Sequence, residues 1–241
     1  MTGGIGTEAA RDSATYDVRA PADLSMRGMN RLLGFAPVRI IAGLLLAALV
    51  LAAAGWLVTG PLRSYPAAFD SSIRGAMRSM QSPMWTSLFL AVTKLGSTVY
   101  LTVIGCAAGL VFLAMLWFRP LLLLIVAMAG QAALHHGFKW LIARPRPAAL
   151  INYPAVESFS FPSGHALSAL SLYAAIAWFA TARLENSALK AGIWIFTIVL
   201  VFLVGVSRIY IGVHYPSDVA AGVLAAAIWT AAVISADEHH L

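Results

Sequence analysis

The sequence predicts an all-α fold, a polytopic membrane helical bundle of six transmembrane helices with one interfacial amphipathic helical segment. Composition is the first observation, because 60% of the 241 residues are hydrophobic and only 11% are charged, whereas soluble domains carry about 25% charged residues. The mean hydropathy of +0.81 agrees with this. The apolar residues also collect in long uncharged runs, which is the pattern of a polytopic membrane protein. An ordinary water-soluble domain is therefore excluded.

Six uncharged runs are long enough to cross about 30 Å of hydrocarbon as α-helices. In chain order they cover residues 40–58, 95–118, 120–138, 165–182, 191–207 and 219–236. We expect each run to form one transmembrane helix. An even number of crossings would place both termini on the same side of the membrane.

The composition of the sequence changes near residue 37, shortly before the first apolar run. The preceding segment holds acidic residues among small and polar ones, namely Glu8, Asp12, Asp17 and Asp23. This composition is too polar to pack in a bilayer and is typical of a disordered tail. We therefore expect two parts, a disordered N-terminal tail over residues 1–37 and a membrane-embedded domain over residues 38–241.

The segment 60–94 begins too polar to span a membrane and ends in a short apolar run at 84–93. Arg74 and Arg78 lie four residues apart, so they share one face of a helix. We expect an amphipathic helical segment that lies at the lipid headgroups. A lid or lateral gate for a lipid that enters from the bilayer is the alternative.

The formal net charge is +6, and a basic chain of this kind binds nucleic acid, an anionic membrane surface or an anionic substrate. The lysines and arginines form no basic stripe with interleaved aromatic residues, so no nucleic-acid partner is predicted. Several of them lie instead at the ends of the apolar runs. The single cysteine, Cys106, excludes a disulfide framework and a cysteine metal cluster. The sequence predicts no particular oligomeric state.

Three segments carry most of the polar residues at the ends of the apolar runs. They are KWLIARPRP at 139–147, FPSGH at 161–165 and SRIYIGVHYPSD at 207–218. The first two are joined by one loop without a crossing, and two crossings separate them from the third, so all three are expected at one membrane face. Ionisable residues at the edge of the hydrocarbon are costly unless something pairs with them, which indicates a functional site.

The residue types in these segments favour phosphoryl transfer. Lys139, Arg146 and Arg208 supply fixed cations that would stabilise the negative charge of its transition state. Ser163 and Gly164 open a predicted helix, whose first backbone N–H groups bind anions, and Ser163 adds a hydroxyl. The pattern predicts a phosphate-binding site that uses neither a metal nor another cofactor.

Two histidines divide the remaining chemistry. His214 and Asp218 lie four residues apart, and a carboxylate that accepts from one imidazole nitrogen leaves the other nitrogen basic, as a nucleophile requires. His165 lies beside the phosphate-binding residues, so it would protonate the leaving oxygen and later activate water. The predicted intermediate is a phosphohistidine.

Other polar residues near these segments have separate interpretations. Arg144 would either contact the extra phosphate of a diphosphate substrate or tether its loop. His135 and His136 belong to none of the three segments, and we interpret them as packing or interfacial residues. Glu157, in the loop between the first two segments, is expected to be solvated.

The three segments resemble the signature motifs of the type-2 phosphatidic acid phosphatase superfamily. Those motifs are a lysine, six residues and Arg-Pro; then Pro-Ser-Gly-His; then Ser-Arg, five residues, a histidine, three residues and an aspartate. Every motif position is matched here, by Lys139, Arg146 and Pro147, by Pro162, Ser163, Gly164 and His165, and by Ser207, Arg208, His214 and Asp218. The resemblance covers residues 70–236.

The resemblance implies an integral-membrane lipid phosphate phosphatase, a hydrolase that needs no metal and whose domain would be residues 38–241. It implies that His214 is the nucleophile, that Asp218 supports it and that His165 is the acid and base. The residues that would bind phosphate are Lys139, Arg146, Ser163, Gly164 and Arg208. Undecaprenyl diphosphate is the first substrate expected, since it is frequent in the family. Phosphatidic acid and phosphatidylglycerophosphate follow, and lipid A remains open.

Basic residues also predict the orientation. Once the cations of the three segments are set aside, more of the remaining basic residues fall on the side of the termini than on the other side. The positive-inside rule then places both termini in the cytoplasm. With the resemblance, this predicts a bacterial inner (cytoplasmic) membrane protein whose active site faces the periplasm or exterior.

Two other classes of function remain open. A vanadate-dependent haloperoxidase would hold vanadate on His214, but those relatives are soluble, and the apolar runs argue against this reading. A non-catalytic lipid-phosphate carrier or flippase would bind the headgroup without cleaving it. Such a protein has no need of a histidine that a carboxylate orients as a nucleophile.

Overall fold

The computed structural model describes residues 20–154 and 156–237, with side chains from residue 36 onward. This part of the chain folds into α-helices and contains no strand, as predicted. The helices are α1 (Ala20–Thr59), α2 (Ser64–Ser79), α3 (Pro83–Lys94), α4 (Thr98–Ala114), α5 (Phe118–Ile142), α6 (Gly164–Thr181), α7 (Ser187–Ile211) and α8 (Pro216–Ser235).

Four helices in the described part are long and apolar enough to cross a membrane. They are α1 over Ala36–Thr59, α5, α7 and α8. Helices α3 and α4 pass the same test only as a pair that bends by 47°, so the count is four, or five if the bent pair is one span. The predicted count of six is not confirmed. The remaining run, 165–182, forms α6, whose serines and largely buried surface suit the interior of the bundle.

Helix α1 begins at Ala20, so it includes residues 20–37 of the segment for which we expected disorder. A polar composition keeps a segment out of lipid, but it does not prevent a helix when leucine, methionine and arginine recur. Residues 1–19 of the predicted tail lie outside the described residues, and their disorder stays a prediction. The segment that we expect at the lipid headgroups forms two helices, α2 and α3, and α3 contains the short apolar run at 84–93.

Small residues let three long helices approach closely, as is common between membrane helices. A Cβ atom added at Gly43 of α1 would lie 2.0 Å from the Cβ of Ala232 of α8. One added at Gly130 of α5 would lie 2.1 Å from the indole of Trp229. That buried indole donates from its Nε1 to the carbonyl of Ala127 over 2.8 Å. Helix α8 is thereby fixed against both α1 and α5.

The helix ends place the three polar segments at one end of the bundle. Helix α5 ends there in the left-handed residue Ala143, and α7 ends there at Gly212, whose φ is +88°. A Cβ at Gly212 would lie 2.3 Å from the Leu150 nitrogen, so only glycine fits. Helix α6 begins at the same end, where Ser163 N donates to the Asp218 carbonyl over 3.1 Å.

The contact between α5 and α8 gives a stability prediction. We expect Gly130→Ala to lower the stability by about 1–3 kcal/mol, because the new methyl group would overlap the Trp229 ring. Thermal unfolding of the detergent-solubilised protein measures this. The matched control is Gly137→Ala on the same helix, where no described heavy atom lies within 4 Å of the new methyl group. Equal melting temperatures for the two variants would contradict the packing.

Candidate active site

A cavity of about 950 Å³ opens where the three polar segments meet. Its polar end is lined by six of the predicted site residues, namely Lys139, Arg146, Gly164, His165, Arg208 and His214. The rest of the cavity is mainly apolar and follows α4 and α5, past Leu101 and Gly109 on one side and Leu124 and Leu121 on the other. The structure therefore joins a cationic end to an apolar channel in one space.

His214 lies between Arg146 and Asp218 at the polar end. Its Nε2 is 3.2 Å from the Arg146 Nη1, and because arginine has only donors, Nε2 must accept. The proton is therefore on Nδ1, which faces Asp218 Oδ2 at 3.7 Å. This separation is an ion-pair distance and is longer than a hydrogen bond. Nδ1 has no hydrogen-bond partner among the described residues.

Asp218 is held by donors other than His214. Its Oδ2 accepts from the backbone N–H of Tyr215 over 2.9 Å, and its Oδ1 accepts from Arg144 over 2.6 Å. The predicted pair of His214 and Asp218 is thus present in place and orientation, but the direct hydrogen bond that we expected between them is not formed. The carboxylate acts on the imidazole through its charge at this distance.

His214 belongs to the segment between α7 and α8, and it is only 2% exposed. Burial lowers the pKa of His214 to about 4; Asp218 opposes this decrease, while Arg208 and Arg146 add to it. The imidazole is therefore neutral at physiological pH.

Each of the three cations is anchored by oxygen atoms of the protein. Lys139 Nζ donates to the Phe159 carbonyl over 2.8 Å, and Arg208 Nη1 donates to Thr93 Oγ1 over 2.7 Å. Arg146 donates through Nη1 to the Val213 carbonyl over 2.7 Å and also bonds Ser158. The ammonium has further donors, and Arg208 Nε has no hydrogen-bond partner among the described residues. These donors can bind phosphoryl oxygens.

The start of α6 lies at the polar end of the cavity. Ser163 is its N-cap, and its buried Oγ has no hydrogen-bond partner among the described residues. His165 lines the cavity and packs on Gly96, where a Cβ would lie 3.2 Å from the His165 ring. A Cβ at Gly164 would lie 2.5 Å from His135 Nε2. We predict that Gly164 lets the phosphate approach the backbone, and the structure adds that the His135 imidazole lies beside this glycine.

The sequence left two roles open for Arg144, a contact with substrate and a tether of its loop. Its contacts in the structure favour the tether. Its Nη2 donates to Asp70 Oδ2 over 2.8 Å, and its Nη1 donates to Ser217 Oγ and to Asp218. The guanidinium also lies over the Tyr215 ring at 3.9 Å. Both Nη atoms of Arg144 bind carboxylates, and Arg144 does not line the cavity.

Asp70 is the residue that sequence reasoning missed. It is 2% exposed, and besides Arg144 it binds the backbone N–H and the hydroxyl of Ser217, each over 2.8 Å. It lies on α2, which we read as an interfacial helix. The available signal was that Asp70 is the one carboxylate in the segment 60–94, whose other charged residues are all basic.

Three other polar residues lie near the site, namely Glu157, His135 and His136. Glu157 is exposed, as expected. His135 and His136 both line the cavity, and their rings lie 4.8 Å apart. Our interpretation of them as packing or interfacial residues is therefore incomplete, because sequence pattern alone gave no reason to place them beside the phosphate site.

Comparisons with known proteins agree with the motifs. The family model described as the PAP2 superfamily matches residues 120–239, a range that holds all three motifs. Phosphatidylglycerophosphatase B of Bacillus subtilis is 34% identical over 158 residues, which are 64% of this chain and 75% of that protein. The chain belongs to the PAP2 superfamily. It is a lipid phosphate phosphatase of the PAP2 type, and the resemblance seen in the motifs is confirmed.

Two solved structures share the fold of this PAP2 phosphatase, and a further relative matches it in sequence. The transmembrane PAP2 type phosphatidylglycerolphosphate phosphatase from Bacillus subtilis superposes with a TM-score of 0.66 at 28% identity, over 85% of this chain and 96% of that one. Aquifex aeolicus LpxE superposes with a TM-score of 0.54 at 25% identity, over 68% of this chain and 93% of that chain. An undecaprenyl-diphosphatase of Sulfolobus acidocaldarius is 33% identical over 104 residues, 41% of this chain and 46% of that protein.

The burial of His214 predicts an acid limit of activity. A protonated imidazole has no lone pair for attack, so kcat/KM should hold as the pH falls past 6.5 and should decrease near pH 4. The substrate also titrates, and Asp218→Asn controls for this because substrate ionisation is common to both enzymes. Loss of the carboxylate should move the limit of the residual activity to lower pH. A limit at the ordinary histidine pKa would contradict the prediction.

The Asp70 and Arg144 pair predicts an effect of α2 on catalysis. We expect Asp70→Asn to lower kcat by roughly tenfold, because Arg144 would lose one of two carboxylates and would shift the Asp218 that faces His214. KM should change little, since Asp70 does not line the cavity. Steady-state kinetics on a lipid phosphate measures both values. Glu185→Gln, at an exposed carboxylate between α6 and α7, is the control and should leave kcat unchanged.

Proposed function

We propose that this PAP2 phosphatase cleaves its lipid phosphate without a metal, through a phosphohistidine on His214. The observation that carries the proposal is the position of His214 in the cavity with Lys139, Arg146 and Arg208, where its Nε2 lies 3.2 Å from the Arg146 Nη1. A neutral imidazole beside three cations is suited to attack an anionic phosphorus centre.

The first half of the reaction transfers the phosphoryl group to the enzyme. Nε2 of His214 attacks phosphorus, and the bond between phosphorus and the lipid oxygen breaks. The negative charge of the bound phosphate favours the protonated form of His165, which donates its proton to that oxygen. The phosphorylated imidazole keeps its Nδ1 proton and carries a positive charge, which the Asp218 carboxylate, 3.7 Å away, stabilises.

The second half returns the enzyme to its starting state. His165, now neutral, accepts a proton from water as the water oxygen attacks phosphorus. The bond between phosphorus and Nε2 breaks, inorganic phosphate leaves, and His214 is neutral again. Lys139, Arg146, Arg208 and the first N–H groups of α6 bind the phosphoryl oxygens in both halves.

The shape of the cavity supports a lipid substrate whose chains stay in the bilayer. From Lys139 to Leu121 the cavity follows α5 for roughly 27 Å, at 1.5 Å per residue. Cationic residues line one end, and residues such as Leu121, Leu124 and Ile125 line the rest. A headgroup would lie at the first end and an apolar chain along the other.

We propose phosphatidylglycerophosphate as the substrate, ahead of undecaprenyl diphosphate. The relative with 75% coverage is named a phosphatidylglycerophosphatase, and so is the solved structure with a TM-score of 0.66. The undecaprenyl-diphosphatase matches over less than half of its length. Arg144, our candidate for the extra phosphate of a diphosphate, is bound to Asp70 and Asp218. Undecaprenyl diphosphate and phosphatidic acid remain the alternatives.

We also propose that the protein lies in a bacterial cytoplasmic membrane with both termini in the cytoplasm and the site facing outward. The distribution of basic residues supports this orientation. Helix α6 begins at the site and α7 ends there, which supports a site at one face of the membrane.

Substrate and mechanism share one experiment. Detergent-purified protein would be given phosphatidylglycerophosphate, undecaprenyl diphosphate, phosphatidic acid and lipid A in the presence of EDTA, and released phosphate would be measured. We expect the first lipid to be preferred and His214→Ala to lose roughly a thousandfold or more of the activity. Loss of activity with EDTA would contradict the metal-free mechanism. Binding of a lipid without cleavage would favour a carrier.

A further inference from the structure

His135 lies on α5, one helical turn before Lys139, and faces the start of α6. A Cβ at Gly164 would lie 2.5 Å from its Nε2 and 2.8 Å from its Cε1. The imidazole therefore occupies the space that any other residue at position 164 would fill. The backbone N–H groups of that first turn are the ones expected to bind the phosphate.

The Nε2 atom of His135 is buried and has no hydrogen-bond partner among the described residues. A buried polar atom without a hydrogen bond destabilises the folded protein, and such atoms are uncommon in native structures. Ser163 Oγ and Arg208 Nε share the condition. His135 and Arg208 line the polar end of the cavity, and Ser163 precedes Gly164, which lines it too, so an anion bound there has unpartnered polar atoms nearby.

We propose that His135 is a further catalytic residue, which donates a hydrogen bond from Nε2 to a phosphoryl oxygen bound against the first turn of α6. Lys139 and Arg146 line the same polar end of the cavity. A neutral imidazole there has one N–H that can donate. The inference rests on the proposed phosphate site, and it adds to that site a residue outside the three motifs.

His136 supplies a matched comparison. It follows His135 in the chain, has the same side chain and also lines the cavity, but it is exposed to a greater extent. No polar atom of His136 is among the buried atoms that lack a partner in the described part of the chain. A general effect of removing a histidine from this wall of the cavity would therefore appear equally in both positions.

The experiment measures binding of inorganic phosphate and orthovanadate to the full-length detergent-solubilised protein by calorimetry. A hydrogen bond to a charged group is worth roughly ten- to a hundredfold in affinity, so His135→Leu should weaken binding by that factor. His135→Gln keeps an amide donor and should recover part of the loss. His136→Leu should stay within about twofold of the wild type. Equal effects of the two leucine variants would overturn the proposal.

A second variant separates donation from packing and covers the case in which His135→Leu does not fold. In His135→Phe a phenyl ring fills the space of the imidazole but has no N–H to donate. If His135 only packs, His135→Phe should keep the phosphate affinity of the wild type. If His135 donates to phosphate, the affinity should fall although the melting temperature is retained.

Binding and turnover distinguish this inference from the proposed function. If the wild type binds phosphate and His135→Leu does not, but no lipid is cleaved, then the proposed hydrolysis fails and the role of His135 in binding stands. If the wild type cleaves a lipid and both His135 variants bind phosphate and turn over as it does, then the inference about His135 fails alone.

Discussion

The buried guanidinium of Arg144 is the interaction on which the site depends. It binds Asp70 of α2 and Asp218 of α8, so it links α2, the loop after α5 and the start of α8. Charges inside a protein are strongly destabilising unless they are paired, and here one cation is paired with two carboxylates. Asp218 keeps its position facing His214 because of this network, even though no hydrogen bond joins the two.

Close packing of the long helices supplies the frame around that network. Gly43 and Gly130 let α1 and α5 approach α8 until their backbones are close to Ala232 and Trp229. The helix ends at the site are therefore fixed relative to one another, which preorganises the cations and the imidazoles. The cavity then has a cationic end and a long apolar part, which suits a substrate with an anionic headgroup and a hydrocarbon chain.

Much of the site could be predicted from the sequence because its motifs are local. His214 and Asp218 are four residues apart, and Ser163 and Gly164 are neighbours at a helix start, so each pair is close in space because it is close in the chain. Asp70 and Arg144 are 74 residues apart, and His135 and Gly164 are 29 apart. Nothing in the local pattern shows that such residues touch, so Asp70 was missed and His135 was read as a packing residue.

The sequence by itself determined the membrane class, the helical fold, the three motifs and the kind of chemistry, because hydropathy, composition and short spacings are properties of each segment. Only the tertiary structure decided that Arg144 is a tether, that α6 lies largely buried in the bundle and that Gly164 makes room for an imidazole. These facts depend on contacts between distant residues, and such contacts are set by how whole helices pack, which no single segment encodes.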